Sequence, residues 1–505
     1  LQGIGYWLTR REMTHPDKEA VVDGRRRLSY RQLNHRVNRL ARVLQAKGLD
    51  QGARLAMLLY NGLECVEVIM ACAKLGLILV PLNWRLTAPE LTFQLQDSGT
   101  TSLVFDPELA ELAQGLLESV PFANLLVLGR EGRLGAEPYE ALLARESDRE
   151  PELAQPVEDE APFIIMYTAG TTGKPKGAVL SQANCLWNAL SLQVDLEFTS
   201  ADRNLVALPM FHIGGIGLFT LPMLYVGGTV VIQRVFDPAE TIRLLKEEGI
   251  TLSLVVPAIH LFLIQSPAFD ASAFAKLRVW MSGGAPLPVS LVEQYHAQGI
   301  VLQQGFGMSE AAPSVSTLAP EWAWAKRGSV GRPMFHTQVR VADPEGRELP
   351  TGQVGELLLQ GPNLMQGYWN RPQANAEAFA GGWFHTGDLA RLDEEGFLYI
   401  VDRKKDMFIS GGENVYPAEV ENAIFEMPPV AEAAVVGVPD EKWGEVGCAV
   451  VALKPGQALE AAAVRAHLQG RLAKYKIPKK VVFVPALPRN AAGKVLKNAL
   501  REQYS

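Results

Sequence analysis

Between Asn204 and Gln233 the chain carries no Asp, Glu, Lys or Arg. A run of that length can cross a bilayer, so it divides the folds open to the chain into membrane-spanning and globular ones. Pro209, Pro222, Gly214, Gly215, Gly217, Gly227 and Gly228 interrupt it; proline removes a backbone donor and a Gly-Gly pair marks a turn. Its end, Thr229-Val230-Val231-Ile232, is a β-branched run expected as a strand. A buried helix, a turn and a buried strand are therefore expected, not a membrane span. The chain as a whole is 48% hydrophobic and 20% charged, globular proportions that exclude a disordered chain or a fibre.

The same rhythm recurs along the chain. Ser29-Tyr30-Arg31-Gln32 fits a capping box, Leu33, Val37, Leu40 and Leu44 follow at helical spacing, and Gly48 ends the helix. Buried strands are expected at 54–60 and 77–82 around a helix at 64–74. After Pro162, helices at 241–248 and 289–298 alternate with strands at 252–256 and 279–282. Such alternation predicts parallel α/β layers. From about Gly328, short strands at 339–341, 354–359 and 397–401 lie between Gly-rich turns, which predicts a small antiparallel or barrel-like β unit. A compact α+β pattern follows, with helices at 417–425 and 461–472 and strands at 433–438, 448–453 and 481–484. At about 100–200 residues per domain, 505 residues make several folding units. The expected division is a large layered α/β unit over 1–402 and a small mobile α+β unit over 403–505, with a hinge at about 402–406.

The charge balance, 48 Lys+Arg against 55 Asp+Glu for a net −7, gives no positive field for nucleic acid. Cys65, Cys72, Cys185 and Cys448 include no CxxC pair; they are expected as buried apolar residues suited to a reducing cytoplasm. Leu1 to Trp7 has no basic region followed by an apolar stretch, so no signal peptide is expected.

The strongest chemical signal is Tyr167-Thr168-Ala169-Gly170-Thr171-Thr172-Gly173-Lys174-Pro175-Lys176-Gly177, which follows the apolar run Phe163-Ile164-Ile165-Met166. Its glycines let backbone N–H groups approach an anion, and three Thr hydroxyls and two lysines add donors and charge. Pro175 after Gly173-Lys174 excludes a Walker A loop. A polyphosphate contact is expected, against the alternative of a solvated Gly/Thr loop.

This loop resembles the phosphate-binding loop of the adenylate-forming superfamily: acyl-CoA synthetases, aryl-CoA ligases, peptide-synthetase adenylation domains and luciferases. Ala169 stands where the family pattern has Ser. Further stretches resemble the family's motifs in the family's order: Pro209-Met210-Phe211-His212 beside the acyl pocket, Ser282-Gly283-Gly284-Ala285-Pro286 and Gly305-Phe306-Gly307-Met308-Ser309-Glu310 at adenine and α-phosphate, Trp383-Phe384-His385-Thr386-Gly387-Asp388 at ribose, Asp402-Arg403-Lys404-Lys405-Asp406 as the hinge, and Pro488-Arg489-Asn490-Ala491-Ala492-Gly493-Lys494 as the C-terminal lysine motif.

The resemblance implies that ATP and Mg²⁺ convert a carboxylic acid to an acyl-adenylate, which coenzyme A captures as a thioester, with no tightly bound organic cofactor. It implies Lys494, Glu310 and His212 as catalytic, Glu310 and Thr168 as metal-associated, and Lys405 as the hinge pivot. Thr168 to Lys174, Lys176, Gly283 to Pro286, Gly305 to Ser309, Asp388 and Arg403 would contact ATP or AMP. Ser410, Gly411, Gly412, Glu413, Trp443, Lys474 and Lys476 would serve coenzyme A. The chemistry accounts for the residue types: two anions must meet, so positive charge is needed where more negative charge develops, and an ionised Asp388 is an acceptor for ribose hydroxyls. For each residue a structural alternative stands beside the functional one: a helix cap for Glu310, a turn for Asp388, a core histidine for His212 and a solvated helix end for the lysines.

The expected acyl pocket comprises His212, Ile213, Gly214, Gly215, Val256, Gly283 and Gly305. No carboxylate follows the aromatic motif to pair an α-ammonium, which excludes an amino acid substrate. The C-terminal third most resembles bacterial medium- and long-chain fatty-acyl-CoA synthetases, so a fatty acid is expected; an aryl acid such as a benzoate, cinnamate or succinylbenzoate is the alternative, and an inactive nucleotide sensor a further one. A peroxisomal luciferase-like identity is disfavoured, because the chain ends Gln503-Tyr504-Ser505. The expected compartment is the cytoplasm; a weak peripheral membrane contact and a homodimer are left open.

Overall fold

A computed structural model describes residues 3–168, 175–410, 412–440, 442–489 and 494–505. Two large sheets with parallel centres form its main body. The first runs Gln303–Gly307, Val279–Ser282, Leu252–Val255, Arg203–Val206, Thr229–Ile232 and Glu19–Asp23, all parallel, with Ser314–Thr317 and Arg332–Pro333 antiparallel beyond one edge and Arg26–Ser29 beyond the other. The second runs Lys176–Ser181, Pro162–Thr168, Ile78–Pro81, Arg54–Leu58, Ser102–Phe105 and Asn124–Val127; Pro162–Thr168 pairs with its successor antiparallel, and the later neighbours pair in parallel.

The uncharged run lies at the centre of the first sheet. Thr229–Ile232 is wholly buried: Val230 packs into the core between the sheets and Val231 into the core on the opposite face. Period-two alternation thus serves two apolar layers, which is why the strand tolerates no charge. Before it come the helix Thr220–Val226, closed by Gly227 at φ +82, and a π-helical turn at Gly214–Leu218. The expected helix, turn and strand are present, but the run opens with the tail of Arg203–Val206, which the sequence did not distinguish. A short apolar run has no period to separate strand from helix. Among the described residues no helix is long and apolar enough to cross a membrane.

Local signals place the other elements. Ser29 and Gln32 form the expected capping box, and the helix Tyr30–Ala46 buries Leu33, Val37, Leu40 and Leu44. Gly48 at φ +77 and the Leu49 N–H to Leu44 O bond of 3.1 Å close it. Cys65 and Cys72 are buried in the helix Leu63–Leu75, Cys185 and Cys448 are buried elsewhere, and all four are free thiols.

The small unit expected after Gly328 is an antiparallel sheet of Gln338–Ala342, Gly355–Gln360, Phe384–Leu392 and Leu398–Arg403. It joins the main body where Val330 N–H donates to Leu398 O and Leu398 N–H to Gly331 O, at 2.9 and 2.8 Å. The chain then passes through Lys404–Met407 into a last sheet, in which Val430–Asp440 and Gly444–Leu453 form a long hairpin and Lys480–Val484 pairs in parallel. Ala449 and Val451 pack under the helices Pro417–Phe425 and Ala461–Leu468, whereas Cys448 and Val450 pack with Leu500 of the helix Lys497–Tyr504. The helix expected to reach Leu472 stops at Leu468, where the backbone turns extended at Gln469 and left-handed at Gly470.

Candidate active site

Strand ends from both large sheets meet at Glu310. Thr168 ends the strand Pro162–Thr168, and Lys176 begins the returning strand directly opposite it. Residues 169–174, which contain the expected phosphate contacts Ala169, Gly170, Thr171, Thr172, Gly173 and Lys174, lie outside the described residues. Glu310 sits in the single turn Ser309–Ala311 after the strand Gln303–Gly307. Its Oε1 accepts from Thr168 Oγ1 at 3.4 Å and from Tyr368 OH at 3.1 Å, and its backbone carbonyl accepts from Met365 N–H at 2.8 Å. The carboxylate is therefore held by two hydroxyls, and the backbone beneath it by Met365. Burial, and then Glu310 itself, push the Tyr368 hydroxyl up, so it remains a donor. Lys176 Nζ lies 5.2 Å from the Tyr368 ring centre. The sequence expectations omitted Tyr368; the signal for it was an aromatic pair, Tyr368-Trp369, directly after a glycine.

Asp388 lies opposite Arg403 across two antiparallel strands. It is 3% exposed, with Oδ1 at 3.1 Å from Arg403 Nε and Oδ2 without a hydrogen-bond partner among the described residues. Burial raises its pKa; Arg403 and Lys494 oppose the rise, and Glu310 and Asp406 add to it. An oriented carboxylate with one open oxygen can accept hydroxyl donors.

Ser282-Gly283-Gly284-Ala285-Pro286 turns away from the strand Val279–Ser282, with Gly284 at φ +80. A Cβ on Gly283 would meet only ordinary contacts, the nearest at 3.5 Å, which leaves this turn open to a ligand. Gly215 and Gly305, expected to leave room in the acyl pocket, have a different reason to be glycine. A Cβ on Gly215 would stand 2.3 Å from Pro209 O, and one on Gly305 would stand 3.0 Å from Ser316 O. Their missing side chains make room for backbone, not for substrate. Gly214 meets only Leu208 and Leu218 side chains, at 3.4 and 3.5 Å, so it remains a wall position. Leu208, Leu218, Val256, Phe306 and Met308 are partly buried apolar residues packed against the cores beside it.

Asn61, which the sequence did not single out, clamps the loop before His212. Its Nδ2 donates to Leu208 O at 2.9 Å and its Oδ1 accepts from Met210 N–H at 2.8 Å. His212 packs on Phe211 with ring centres 4.6 Å apart, and its Nε2 has no hydrogen-bond partner. Burial first, then Lys494 and Arg85, lower its pKa to about 4. It is therefore neutral at pH 7 and not a cation. Arg85 lies over the rings of Trp84 and Phe211, at 5.0 and 5.6 Å.

Lys494 faces this assembly. Burial and Arg403 lower the pKa of its ammonium, Asp388 and Glu310 pull it up, and Lys405 adds to the lowering. The residue as a whole keeps solvent contact; the crowding acts at its charged end. By contrast, the described contacts of Ser410, Glu413 and Trp443 stay within the C-terminal unit: Ser410 pairs with Glu413 and Gly444, and Lys442 and Lys479 sit 5.0 and 5.2 Å from the Trp443 ring. The structure thus holds the orientation that presents Lys494 to the site. Gly411 lies outside the described residues, and Gly412 is exposed at φ +88. Lys474 is exposed, but Lys476, expected in the same basic patch, is paired with both oxygens of Glu419 at 2.8 and 2.7 Å. It is held by its neighbour in the fold and is not an open cation in this orientation.

Among the described residues no group of three or more His, Cys, Asp and Glu could hold a metal. One fixed carboxylate and one hydroxyl, Glu310 and Thr168, suit Mg²⁺, which binds through one or two carboxylates plus substrate phosphates and keeps water.

A buried carboxylate held by two hydroxyls, a second carboxylate with one open oxygen, and a lysine from the C-terminal unit facing both are the parts an adenylating enzyme needs. The chain belongs to the AMP-binding enzyme family: residues 8–369 match the AMP-binding enzyme domain and residues 419–494 the AMP-binding enzyme C-terminal domain. It falls in the acyl-CoA synthetase branch and is an AMP-forming acyl-CoA ligase. It is 42% identical over 503 residues to a feruloyl-CoA synthase from Amycolatopsis, covering 100% of this chain and 99% of that one. It is 38% identical over 507 residues to a long-chain-fatty-acid–CoA ligase from Mycobacterium tuberculosis, covering 100% and 99%. The solved O-succinylbenzoate coenzyme A synthetase from Bacillus subtilis, in complex with ATP and magnesium ion, superposes with a TM-score of 0.87 at 34% identity, covering 98% of each chain.

Proposed function

We propose that the acid activated is a hydrophobic aryl or arylalkenoic monocarboxylic acid, and that the roles below belong to the named residues. In the first half-reaction the carboxylate oxygen bonds to the α-phosphorus of ATP and the bond to pyrophosphate breaks. Glu310 and Thr168 would hold the Mg²⁺ that accompanies ATP, which would supply positive charge there. Tyr368 and Thr168 hold the Glu310 carboxylate in place. Asp388 accepts the ribose hydroxyls on its open oxygen while Arg403 fixes the other. Lys494 brings an ammonium to the charge developing between acid and phosphate. In the second half-reaction the thiol sulfur of coenzyme A bonds to the acyl carbon and AMP leaves. Rotation about Lys405 would withdraw Lys494 and bring in Ser410, Gly412 and Glu413, with Trp443 and Lys474 toward the nucleotide of coenzyme A. The compartment that fits these substrates is the cytoplasm; membrane contact and dimer formation are not needed for the chemistry.

One observation carries the choice of acid. Behind Gly214 the space between Leu208, Leu218, Phe219 and Leu254 is about 10 Å³, room for one water-sized group and not for an alkyl tail. An acyl group that ends near Gly214 suits an aryl acid, as does the 42% identity to the feruloyl-CoA synthase. The second reading is a medium- or long-chain fatty acid, supported by the resemblance of the C-terminal third and by the full-length relative from Mycobacterium tuberculosis. Pyrophosphate release from ATP and Mg²⁺, read as kcat/KM across benzoate, cinnamate, octanoate and palmitate, separates them. Highest efficiency with palmitate would replace the aryl reading with the fatty one.

A further inference from the structure

We infer that Asn204 is a specificity-determining residue: at the floor of the acyl pocket its carboxamide hydrogen-bonds a hydroxyl at the far end of an aryl acid. The inference rests on the aryl-acid reading and deepens it. Asn204 stands in the strand Arg203–Val206, in the middle of the first sheet. Alternation along the strand sends Leu205 and Ala207 into the core on one face and Val206 into the core on the other, so Asn204 shares the face of Val206 and Leu208. That face lies toward the acyl pocket. The side chain is buried, at 2% exposure, and its Oδ1 has no hydrogen-bond partner among the described residues.

Thr220 Oγ1 donates to Gly215 O at 2.7 Å, Ser253 Oγ to Leu205 O at 2.8 Å, and Asn188 Nδ2 to Gly217 O at 2.7 Å. These three side chains are satisfied within the fold. Asn204 instead borders the cavity of about 10 Å³ whose other walls are Leu208, Gly214, Gly215, Leu218, Phe219 and Leu254. Leu208 directly precedes the His212 motif, and Gly214, Gly215 and Leu218 follow it. The cavity accepts one oxygen and excludes a ring. A buried amide that is not hydrogen-bonded is disfavoured, and a hydroxyl can meet either end of the carboxamide because it both donates and accepts. A site built to bond a hydroxyl discriminates strongly against the analogue that lacks it.

The test compares 4-hydroxycinnamate with cinnamate, two acids of one shape, as kcat/KM for pyrophosphate release by the full chain. The expected result is a preference of at least about tenfold for the hydroxylated acid. Asn204→Leu is expected to bring the ratio to about one, chiefly through a raised KM for 4-hydroxycinnamate. Equal efficiencies in the unaltered enzyme, or a preference that survives Asn204→Leu, overturn the inference while leaving the aryl reading intact. If neither cinnamate is activated and octanoate is, the aryl reading fails and the inference falls with it. Should the leucine variant not fold, Asn204→Ala tests the same ratio, and a preference that survives it overturns the inference equally.

Discussion

Arg403 Nε holds Oδ1 of Asp388 at 3.1 Å, and Oδ2 of the same buried carboxylate has no hydrogen-bond partner among the described residues. The guanidinium orients the carboxylate and leaves half of it for a ligand. Asp388→Asn keeps the shape but replaces an acceptor-only group with a mixed donor and acceptor. Hydrogen bonds to charged groups contribute about 1.5–3 kcal/mol each. AMP affinity is expected to fall about a hundredfold, measured by calorimetry, with the melting temperature unchanged or raised, because a buried charge has been removed. Unaltered AMP affinity would rule out the ribose role.

Lys494 is coupled to Asp388, Glu310 and His212 in the same structure that keeps Ser410, Glu413 and Trp443 in contacts of their own unit. Lys494→Ala is therefore expected to act on one half-reaction only. Losing one positive group at the developing charge reduces a rate by about 10²–10³. Acyl-adenylate formation should fall by that factor, while thioester formation from supplied acyl-adenylate and coenzyme A should stay within about threefold. Parallel loss in both steps would count against domain alternation.

The legible parts of the fold were those with a period or a punctuation mark. The helix Pro417–Phe425 and the strand Val279–Ser282 were readable to the residue, one from a proline start and the other from a short apolar run ahead of Gly-Gly. The strand Arg203–Val206 was not, because a short apolar run has no distinguishing period. The separate glycine, acid and lysine motifs could be read from the chain, but their meeting could not. That Tyr368 would bond Glu310, that Asn61 would clamp Leu208 and Met210, and that Lys476 would be taken up by Glu419 depend on contacts between residues far apart in sequence. Gly215 and Gly305 read as space for a substrate because a sequence does not show the Pro209 and Ser316 carbonyls pressed against them.

The neutral state of His212 sets a pH expectation. Its pKa in the folded chain is about 4, lowered by burial, Lys494 and Arg85, against about 6.5 unfolded. A depressed histidine leaves the native state neutral while the unfolded chain takes a proton, so stability is lost as pH falls from about 6.5 to about 4. The shift converts to about 3 kcal/mol. His212→Phe is expected to lose less stability than the parent on that acid limb, in urea titrations at pH 7.5 and pH 5. The pH dependence of adenylation above pH 6 should be the same in both proteins; a limb near pH 6.5 that vanishes in the variant would show that His212 titrates in the working enzyme.

Asp402 supplies an interaction across the junction between the units. It ends the small sheet, yet its Oδ2 accepts from Ala418 N–H at 2.8 Å in the first helix of the C-terminal unit, and Oδ1 accepts from Arg403 N–H at 2.7 Å. Lys497, three residues beyond Lys494, faces it and pairs with Glu421 at 2.7 Å. Burial raises the Asp402 pKa to about 6; Lys497 and the two N–H groups oppose the rise and Glu421 adds to it, while Asp406 acts on Lys497. A raised carboxyl favours the state that buries it when protonated and disfavours that state as pH climbs from about 4 through about 6. The orientation presenting Lys494 should therefore be most populated below pH 6 and lose ground to the rotated one above it, where Asp402 can meet water. Asp402→Asn keeps an acceptor for Ala418 N–H without the charge. In that variant, a donor–acceptor dye pair spanning the two units should report a docked fraction independent of pH between 5 and 8. At pH 7.5, thioester formation should slow while acyl-adenylate formation does not. The same pH response in parent and variant would remove Asp402 from the control of the rotation.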